Sequence, residues 1–169
     1  MSAPPRVAVI TVSDGVAAGT RADASGDLLV RRLSKLPATM VSRRVVPDSE
    51  PAIREAVDWA IEGVDCVVLT GGTGLGPRDV TPQAIRPLLN YELSGMAEAM
   101  RAEGLRHTPH AMLSRQVAGV ARGALVLALP GSPRAVGECL DAVWAALPHA
   151  LELLRGDTAH RSPDHDAPG

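Results

Sequence analysis

The chain has 169 residues, of which 46% are hydrophobic and 21% charged, and its formal net charge is −2. Such a chain is long and apolar enough for one globular domain, and its composition excludes a disordered protein. The charge gives no general attraction to nucleic acid or to an anionic membrane, and the 2% aromatic content leaves few stacking platforms for single-stranded nucleic acid.

The first ninety residues alternate between strand and helix patterns. Runs rich in Val, Ile and Thr that end at polar or glycine residues predict strands over residues 6–12, 39–46 and 64–70. Apolar residues at helical spacing predict helices over residues 26–36, 50–62 and 81–89. A polar loop is predicted over residues 16–25. This alternation predicts right-handed βαβ units, and therefore a mostly parallel sheet between helix layers.

The second half is predicted to add a hairpin and further helices. Two short apolar runs, 117–120 and 124–129, flank Arg122-Gly123 and predict an antiparallel hairpin. Helices are predicted over 95–103 and 134–154, the latter with a kink or break at Pro148, and a loop and short turn are predicted over 107–119. We therefore expect one α/β domain over residues 1–156 and a polar, disordered tail over residues 157–169.

The cysteines and the apolar runs predict a cytoplasmic protein without a membrane segment. Cys66 and Cys139 lack the spacing of a metal site and are interpreted as reduced, buried thiols. No apolar run approaches the roughly 18 residues that a membrane-spanning helix needs. The early apolar run at 7–12 is too short to indicate a signal peptide.

The most informative segment reads Thr-Gly-Gly-Thr-Gly-Leu-Gly-Pro-Arg-Asp, residues 70–79, and it follows a predicted buried strand. Glycines leave main-chain amides uncovered, and the next helix, with Thr81 as its cap and Pro82 as its first residue, adds its positive end. A phosphate site is therefore predicted at Thr70, Gly71, Gly72, Thr73 and Gly74. Pro77 and Arg78 stand where a P-loop needs Lys and Ser or Thr, so a Walker-type ATPase is excluded. A tight turn without a ligand is the alternative.

Two acids follow strands at the same predicted edge of the sheet. Asp79 follows the glycine segment, and Asp48 follows the strand at 39–46. Each could instead cap the helix that comes next. Carboxylates repel phosphates unless a cation lies between them, and Mg²⁺ combines few carboxylates with phosphates and water. We therefore predict that Asp48 and Asp79 bind Mg²⁺, with Asp14 as a weaker third candidate that a simple Asp-Gly turn would also explain.

A second tight loop and two arginines complete the candidate site. The loop is Pro130-Gly131-Ser132-Pro133, in which Ser132 is predicted to cap a helix that Pro133 begins. Arg78 and Arg134 each adjoin a glycine loop, where a guanidinium can bind phosphate oxygens; exposed surface arginines are the alternative. No histidine has the spacing of a metal site or the context of a serine triad.

Several motifs of the chain match one known family. They are Leu69-Thr70-Gly71-Gly72-Thr73-Gly74, Pro77-Arg78-Asp79-Val80-Thr81-Pro82, and Leu113-Ser114-Arg115-Gln116 leading through Leu125–Leu129 into Pro130-Gly131-Ser132-Pro133. In these motifs, within a span from about Val7 to Leu154, the chain resembles the MoaB/Mog family of molybdenum-cofactor biosynthesis. The resemblance implies a three-layer α/β/α domain that binds molybdopterin and forms homotrimers, sometimes hexamers made of two trimers.

For catalytic members, the resemblance implies transfer of AMP from ATP, with Mg²⁺, to the terminal phosphate of molybdopterin and release of pyrophosphate. By the matching motifs, Asp48 and Asp79 would be the catalytic and metal-binding acids. Thr70–Gly74, Arg78 and the loop Pro130–Pro133 would hold the substrate and phosphates. The residues Ser13, Asp14 and Gly15 would line the nucleotide end.

Two alternatives to catalysis stay open. One is a carrier that binds molybdopterin and passes it on without chemistry. The other is a stand-alone relative of the domain that inserts molybdate into the adenylylated product, although such domains belong to much longer chains. For an adenylyltransferase or a carrier, the resemblance implies a molybdate-insertion protein as the downstream partner.

Overall fold

The computed structural model describes residues 3–156, so the predicted tail at 157–169 lies outside the described residues. The strands are β1 (Arg6–Val12), β2 (Thr39–Val46), β3 (Cys66–Thr70), β4 (Tyr91–Glu92), β5 (Val117–Ala121) and β6 (Ala124–Leu129). The helices are α1 (Asp14–Ala17), α2 (Ala24–Leu33), α3 (Glu50–Ile61), α4 (Thr81–Ile85), α5 (Ser94–Leu105), α6 (Pro133–Val143) and α7 (Leu147–Leu154). Short 3-10 turns occupy Arg86–Leu88, Pro109–Leu113 and Trp144–Ala146.

The strands form one mixed sheet in the order β2-β1-β3-β6-β5-β4. Strands β2, β1, β3 and β6 run parallel, whereas β5 is antiparallel to both β6 and β4. The turn between β5 and β6 holds Arg122 at φ 48° and Gly123 at φ 81°. Two consecutive positive φ angles are typical of the type I′ turn, whose twist matches that of the strands it joins. The predicted α/β fold with a mostly parallel sheet and a hairpin is confirmed.

Helices cover both faces of the sheet, so the three-layer arrangement is also confirmed. Along β1, Val7 and Val9 pack in the cluster formed with α2, α5, α6 and α7. Ala8 and Ile10 pack on the opposite face with α3 and α4. Successive strand residues point to opposite faces, so a strand covered on both sides is apolar throughout. Strands β3 and β6 are accordingly buried at every residue.

The structure corrects two sequence-based expectations about the elements and adds one strand that was not predicted. The helix predicted over 134–154 is broken, but the break lies before Pro148: α6 ends at Val143 and α7 begins at Leu147. Pro148 lies in the first turn of α7, where its missing N–H costs nothing. The loop predicted over 16–25 contains part of α1 and the start of α2. Strand β4 is only two residues long and has no apolar alternation that could predict it.

Within residues 3–156, no helix is long and apolar enough to cross a membrane.

Candidate functional site

The carboxyl ends of the parallel strands open into one cleft of about 800 Å³. Ligands of open α/β sheets bind at this edge, because the loops after the strands diverge there. Most of the predicted site residues line this cleft: Ser13, Asp48, Thr70, Gly71, Gly72, Thr73, Gly74, Asp79, Pro130, Gly131, Ser132 and Pro133. Asp14, Gly15 and Arg78 are not among the lining residues.

The glycine loop after β3 needs glycine at its first two positions. Gly71 has φ 103° and Gly72 has φ 68°, both in the left-handed region that residues with a Cβ avoid. A Cβ on Gly71 would collide with the main-chain oxygen of Val12. The buried Thr81 fixes the loop through two hydrogen bonds. Its hydroxyl donates to Gly71 O at 2.8 Å, and its amide donates to Gly72 O at 3.0 Å. The prediction that Thr81 caps α4 is therefore wrong, since the N-cap position is Val80.

The amides of this loop are free to bind an anion. Within the described residues, the N–H groups of Gly72, Thr73 and Gly74 donate to no protein acceptor. The preceding amide, Gly71 N–H, extends the sheet instead by donating to Leu129 O at 3.0 Å. Consecutive unpaired amides around positive-φ glycines form the concave nest that binds phosphates. The loop therefore has the features of an anion site, beyond the needs of a tight turn.

Asp79 is fixed by the loop itself. Its Oδ2 accepts the Gly76 amide at 2.9 Å, and its own amide donates to Gly76 O at 3.0 Å. A Cβ on Gly74 would lie 2.8 Å from Oδ2, so glycine at this position makes room for the carboxylate. The side chain does not cap α4, whose cap position makes no side-chain hydrogen bond. The alternative interpretation of Asp79 as a helix cap is therefore wrong.

Asp48 is fixed by a reciprocal pair of hydrogen bonds with Asp14. The Asp14 amide donates to Asp48 Oδ2 at 2.8 Å, and the Asp48 amide donates to Asp14 Oδ1 at 2.9 Å. Asp48 does not cap α3, which begins after Ser49 without a side-chain cap. A Cβ on Gly72 would lie 3.4 Å from Asp48 Oδ1, so this carboxylate reaches the glycine loop.

The two acids share one arrangement that suits a divalent cation. In each of Asp48 and Asp79, a main-chain amide holds Oδ2, while Oδ1 receives no hydrogen bond from any described residue. Both carboxylates line the cleft beside unpaired amides. Each carboxylate therefore has one oxygen in a hydrogen bond and one open oxygen that is available to a cation. One or two carboxylates beside a phosphate site are a typical set of ligands for Mg²⁺.

Arg78 pairs with Asp14 and is not aimed at the cleft. Its Nε and Nη2 contact both carboxylate oxygens of Asp14 at 2.7–2.9 Å. Hydrogen bonds hold the pKa of Asp14 below its usual range; the bond from the Arg78 side chain contributes most, and the bond from the Asp48 amide comes second. Arg134, whose own side chain is exposed, pairs with the largely buried Glu138 of α6 at 2.8 Å. The predicted phosphate contact of Arg78 and nucleotide contacts of Asp14 and Gly15 stay predictions.

The second tight loop adds a helix N-terminus to the cleft. Ser132 caps α6 by accepting the Ala135 amide at 3.2 Å, and Pro133 is the first helical residue, as predicted. Gly131 O accepts a hydrogen bond from the Ser25 hydroxyl at 2.5 Å. A Cβ on Gly131 would lie 3.3 Å from Gly71 Cα, so the two glycine loops pack directly on each other.

Sequence reasoning missed two residues that build the site. Arg115 donates to Gly74 O at 2.9 Å and to Asp79 O at 2.6 Å, and so clamps the glycine loop from behind. Asp23 caps α2 at the rim of the cleft. The partners of Arg115 lie far away along the chain, and only the motif Leu113–Gln116 pointed toward it. Asp23 has a local signal, since it accepts the Gly26 amide three residues on, but this segment is predicted as a loop and the cap is missed.

A side cavity of about 200 Å³ adjoins the cleft and shares His110, Ser114 and Pro130 with it. Gln116 lines this cavity and is only 3% exposed. Its side-chain amide makes no hydrogen bond to any described residue, yet it is not sealed from the cavity. A buried polar group normally has a partner, so this amide is available to a polar ligand.

Comparisons with known proteins identify relatives of this architecture. Residues 8–149 match the family model described as a probable molybdopterin binding domain. A molybdenum cofactor biosynthesis bifunctional protein of Synechococcus elongatus is 44% identical over 149 residues, which are 88% of this chain and 47% of that protein. A molybdopterin adenylyltransferase of Helicobacter pylori is 35% identical over 155 residues, which are 89% of this chain and 88% of that protein.

A solved structure agrees with these sequence matches. The molybdopterin biosynthesis enzyme MoaB of Thermus thermophilus has a TM-score of 0.84 and 47% identity, covering 90% of this chain and 97% of that chain. The chain spans about half, or less, of the length of the first curated relatives it matches. The likeness therefore extends over nearly the whole of this chain but over only part of those longer proteins.

Proposed function

The chain belongs to the family described as the probable molybdopterin binding domain, and from this premise we propose that it is a molybdopterin adenylyltransferase. It would transfer AMP from ATP to the terminal phosphate of molybdopterin and release pyrophosphate. One observation carries the proposal: the unpaired amides of Gly72–Gly74 lie in the same cleft as two carboxylates, each with an open oxygen.

The proposed reaction requires no covalent bond between the protein and its substrates. An oxygen of the molybdopterin phosphate attacks the α-phosphorus of ATP, and the bond from that phosphorus to the β-phosphate oxygen breaks. The bonding electrons leave with pyrophosphate. Because the attacking phosphate is already ionised, the cleft needs no general base and no serine-histidine pair. Positioning and charge stabilisation supply the rate, as in other phosphoryl-type transfers.

The residues of the cleft divide this work. The amides of Gly72, Thr73 and Gly74 would bind phosphate oxygens, and the N-terminus of α6 adds its positive end. Asp48 and Asp79 would hold Mg²⁺ through their open oxygens. The cation, when bound, would neutralise charge on the phosphates. Within residues 3–156 no group of three or more acidic, histidine or cysteine side chains is placed to hold a metal, so phosphates and water would complete its coordination.

The side cavity fits the pterin part of the substrate. A pterin carries ring N–H, amino and carbonyl groups on one edge, which require hydrogen-bonding partners. Gln116 offers both a donor and an acceptor there, and Glu138, which also lines the cavity, offers an acceptor. The pterin ring would therefore lie toward Gln116 while the terminal phosphate reaches the glycine loop. The family resemblance further supports a homotrimer, or a hexamer of two trimers, and delivery of the product to a molybdate-insertion protein.

The decisive experiment is incubation of the purified chain with molybdopterin, ATP and Mg²⁺, followed by chromatography for adenylylated molybdopterin and pyrophosphate. We expect both products in equal amounts, and only when Mg²⁺ is present. Tight molybdopterin binding without ATP dependence and without product would contradict catalysis, and would identify the chain as a carrier.

A further inference from the structure

We propose that Arg78 and Asp14 form a positioning pair that sets the spacing between Asp48 and Asp79. This inference rests on the proposed function, since it assigns the pair a purpose at the cation site of that function. It gives both residues a role other than direct contact with phosphate or nucleotide.

The first link joins the ends of β1 and β2. Asp14 and Asp48 exchange two hydrogen bonds, each carboxylate accepting the other residue's amide, at 2.8 and 2.9 Å. The Asp48 carboxylate is thus held through Oδ2, and its orientation depends on where Asp14 sits. A shift of Asp14 would turn the open oxygen of Asp48 away from the glycine loop.

The second link joins the end of β1 to the segment after the glycine loop. Arg78 contacts both oxygens of Asp14 through Nε and Nη2, a fork that fixes direction as well as distance. Arg78 immediately precedes Asp79, whose carboxylate is held by the Gly76 amide. A continuous chain of contacts therefore runs from Asp79 through Arg78 and Asp14 to Asp48.

Stability alone does not account for this pair. The side chains of Arg78 and Asp14 are 66% and 46% exposed, and exposed ion pairs contribute little to folding. The pair acts on the geometry of the two acids, which follow separate strands and which no hydrogen bond within the described residues joins directly. Residues that orient metal ligands typically change metal affinity by about 10- to 100-fold when removed.

The test measures ATP binding by calorimetry, with and without Mg²⁺, for the wild-type protein, Arg78→Met, Arg78→Lys and Asp14→Ala. We expect Arg78→Met and Asp14→Ala to weaken ATP binding about 10-fold with Mg²⁺ and to leave metal-free binding unchanged. Lysine at 78 keeps the charge but not the fork, and should restore part of the loss. The double variant that combines Arg78→Met with Asp14→Ala should bind ATP no more weakly than the weaker-binding of the two single variants, because both residues act through the same contacts.

The control is Arg86→Met, which removes another exposed ion pair, to Glu92 at 3.1 Å, and should bind like wild type. An equal loss with and without Mg²⁺ in Arg78→Met would mean that Arg78 binds phosphate itself and would overturn the inference. Additive losses in the double variant would overturn it too. A wild-type protein that binds no ATP in either condition would instead contradict the proposed function, from which the inference follows.

Discussion

The guanidinium of Arg115 lies 2.6 Å from the main-chain oxygen of Asp79, to which Nη2 donates. The same side chain donates to Gly74 O at 2.9 Å, and the Arg115 amide donates to Thr73 O at 2.8 Å. A single residue thus binds three main-chain oxygens between Thr73 and Asp79. Since the carbonyls are taken on this side, the amides of the loop are left to face the cleft.

Replacing Arg115 should therefore damage the anion site. Arg115→Lys keeps the positive charge but cannot reach both carbonyl oxygens as a planar fork does. We expect roughly 10-fold weaker binding of pyrophosphate by calorimetry, together with a lower melting temperature. Arg54→Lys is the matched control, because Arg54 also donates to a main-chain oxygen, Ala84 O at 3.4 Å, which lies in α4 and not in the glycine loop. Unchanged pyrophosphate affinity in Arg115→Lys would contradict the clamp.

Glycine at position 71 is predicted to stabilise the folded protein. Gly71→Ala forces a Cβ into the left-handed region and against Val12 O, and should cost about 1–3 kcal/mol or more in the free energy of unfolding. Gly137 lies within α6 with open space around it, so Gly137→Ala should stabilise the protein by up to about 1 kcal/mol. Denaturant unfolding of both variants checks this. Equal effects of the two substitutions would exclude the backbone explanation.

The two acids should be needed for turnover but not for folding. Asp79→Asn and Asp48→Asn each keep an oxygen that can accept the existing main-chain hydrogen bond, so melting temperatures should change little. Each removes a negative charge from the cation site and should slow product formation on the order of 100-fold or more. Asp58→Asn, at an ion pair with Arg122 on the hairpin, is the control. Full activity in Asp79→Asn would remove the assignment.

The strands and the location of the cleft could be predicted from the sequence because their causes are local. Apolar runs that end at glycine, proline or aspartate mark β1, β2, β3 and β6, and parallel strands place their ends at one edge. The same reasoning predicted that the segments carrying Asp48 and Asp79 converge on one cleft at that edge, and both residues line the cleft.

What the sequence could not predict are partners distant along the chain. The pairing of Arg78 with Asp14 spans 64 positions, and the bond from Arg115 to Asp79 spans 36. No spacing rule connects such residues, since their contact depends on the assembled sheet. The short α1 and the position of the break before α7 could not be predicted for a related reason: tertiary packing decides where such short helices begin and end.

Both cysteines should be unreactive in the folded protein. Burial raises the pKa of Cys66 and of Cys139 to about 12, so neither thiol forms a thiolate at neutral pH. We expect a thiol reagent such as dithionitrobenzoate to label neither residue at pH 8, and to label both after unfolding in guanidinium chloride. Rapid labelling of one cysteine without denaturant would contradict this prediction, and would mean that the residues packed over that thiol unfold locally in the native state.

Asp23 should make the stability of the protein depend on pH. Burial alone would raise the pKa of this carboxyl, but hydrogen bonds from Arg43, Thr11 and Gly26 outweigh it and lower the pKa. The folded protein therefore prefers the ionised form more than the unfolded chain does. The resulting stabilisation is present above the unfolded pKa of about 4, and is lost as the pH falls through the lower folded pKa.

Asp23→Asn removes this dependence and tests it. At pH 7 the variant should unfold with a free energy roughly 1–2 kcal/mol lower than wild type, because hydrogen bonds to a charged acceptor are weakened. As the pH falls through the folded pKa of Asp23, the gap should narrow, since wild type loses the charge that the variant never had. Urea unfolding across this range measures both quantities. A gap that stays constant down to the lowest pH would show that the Asp23 charge is not what stabilises the start of α2.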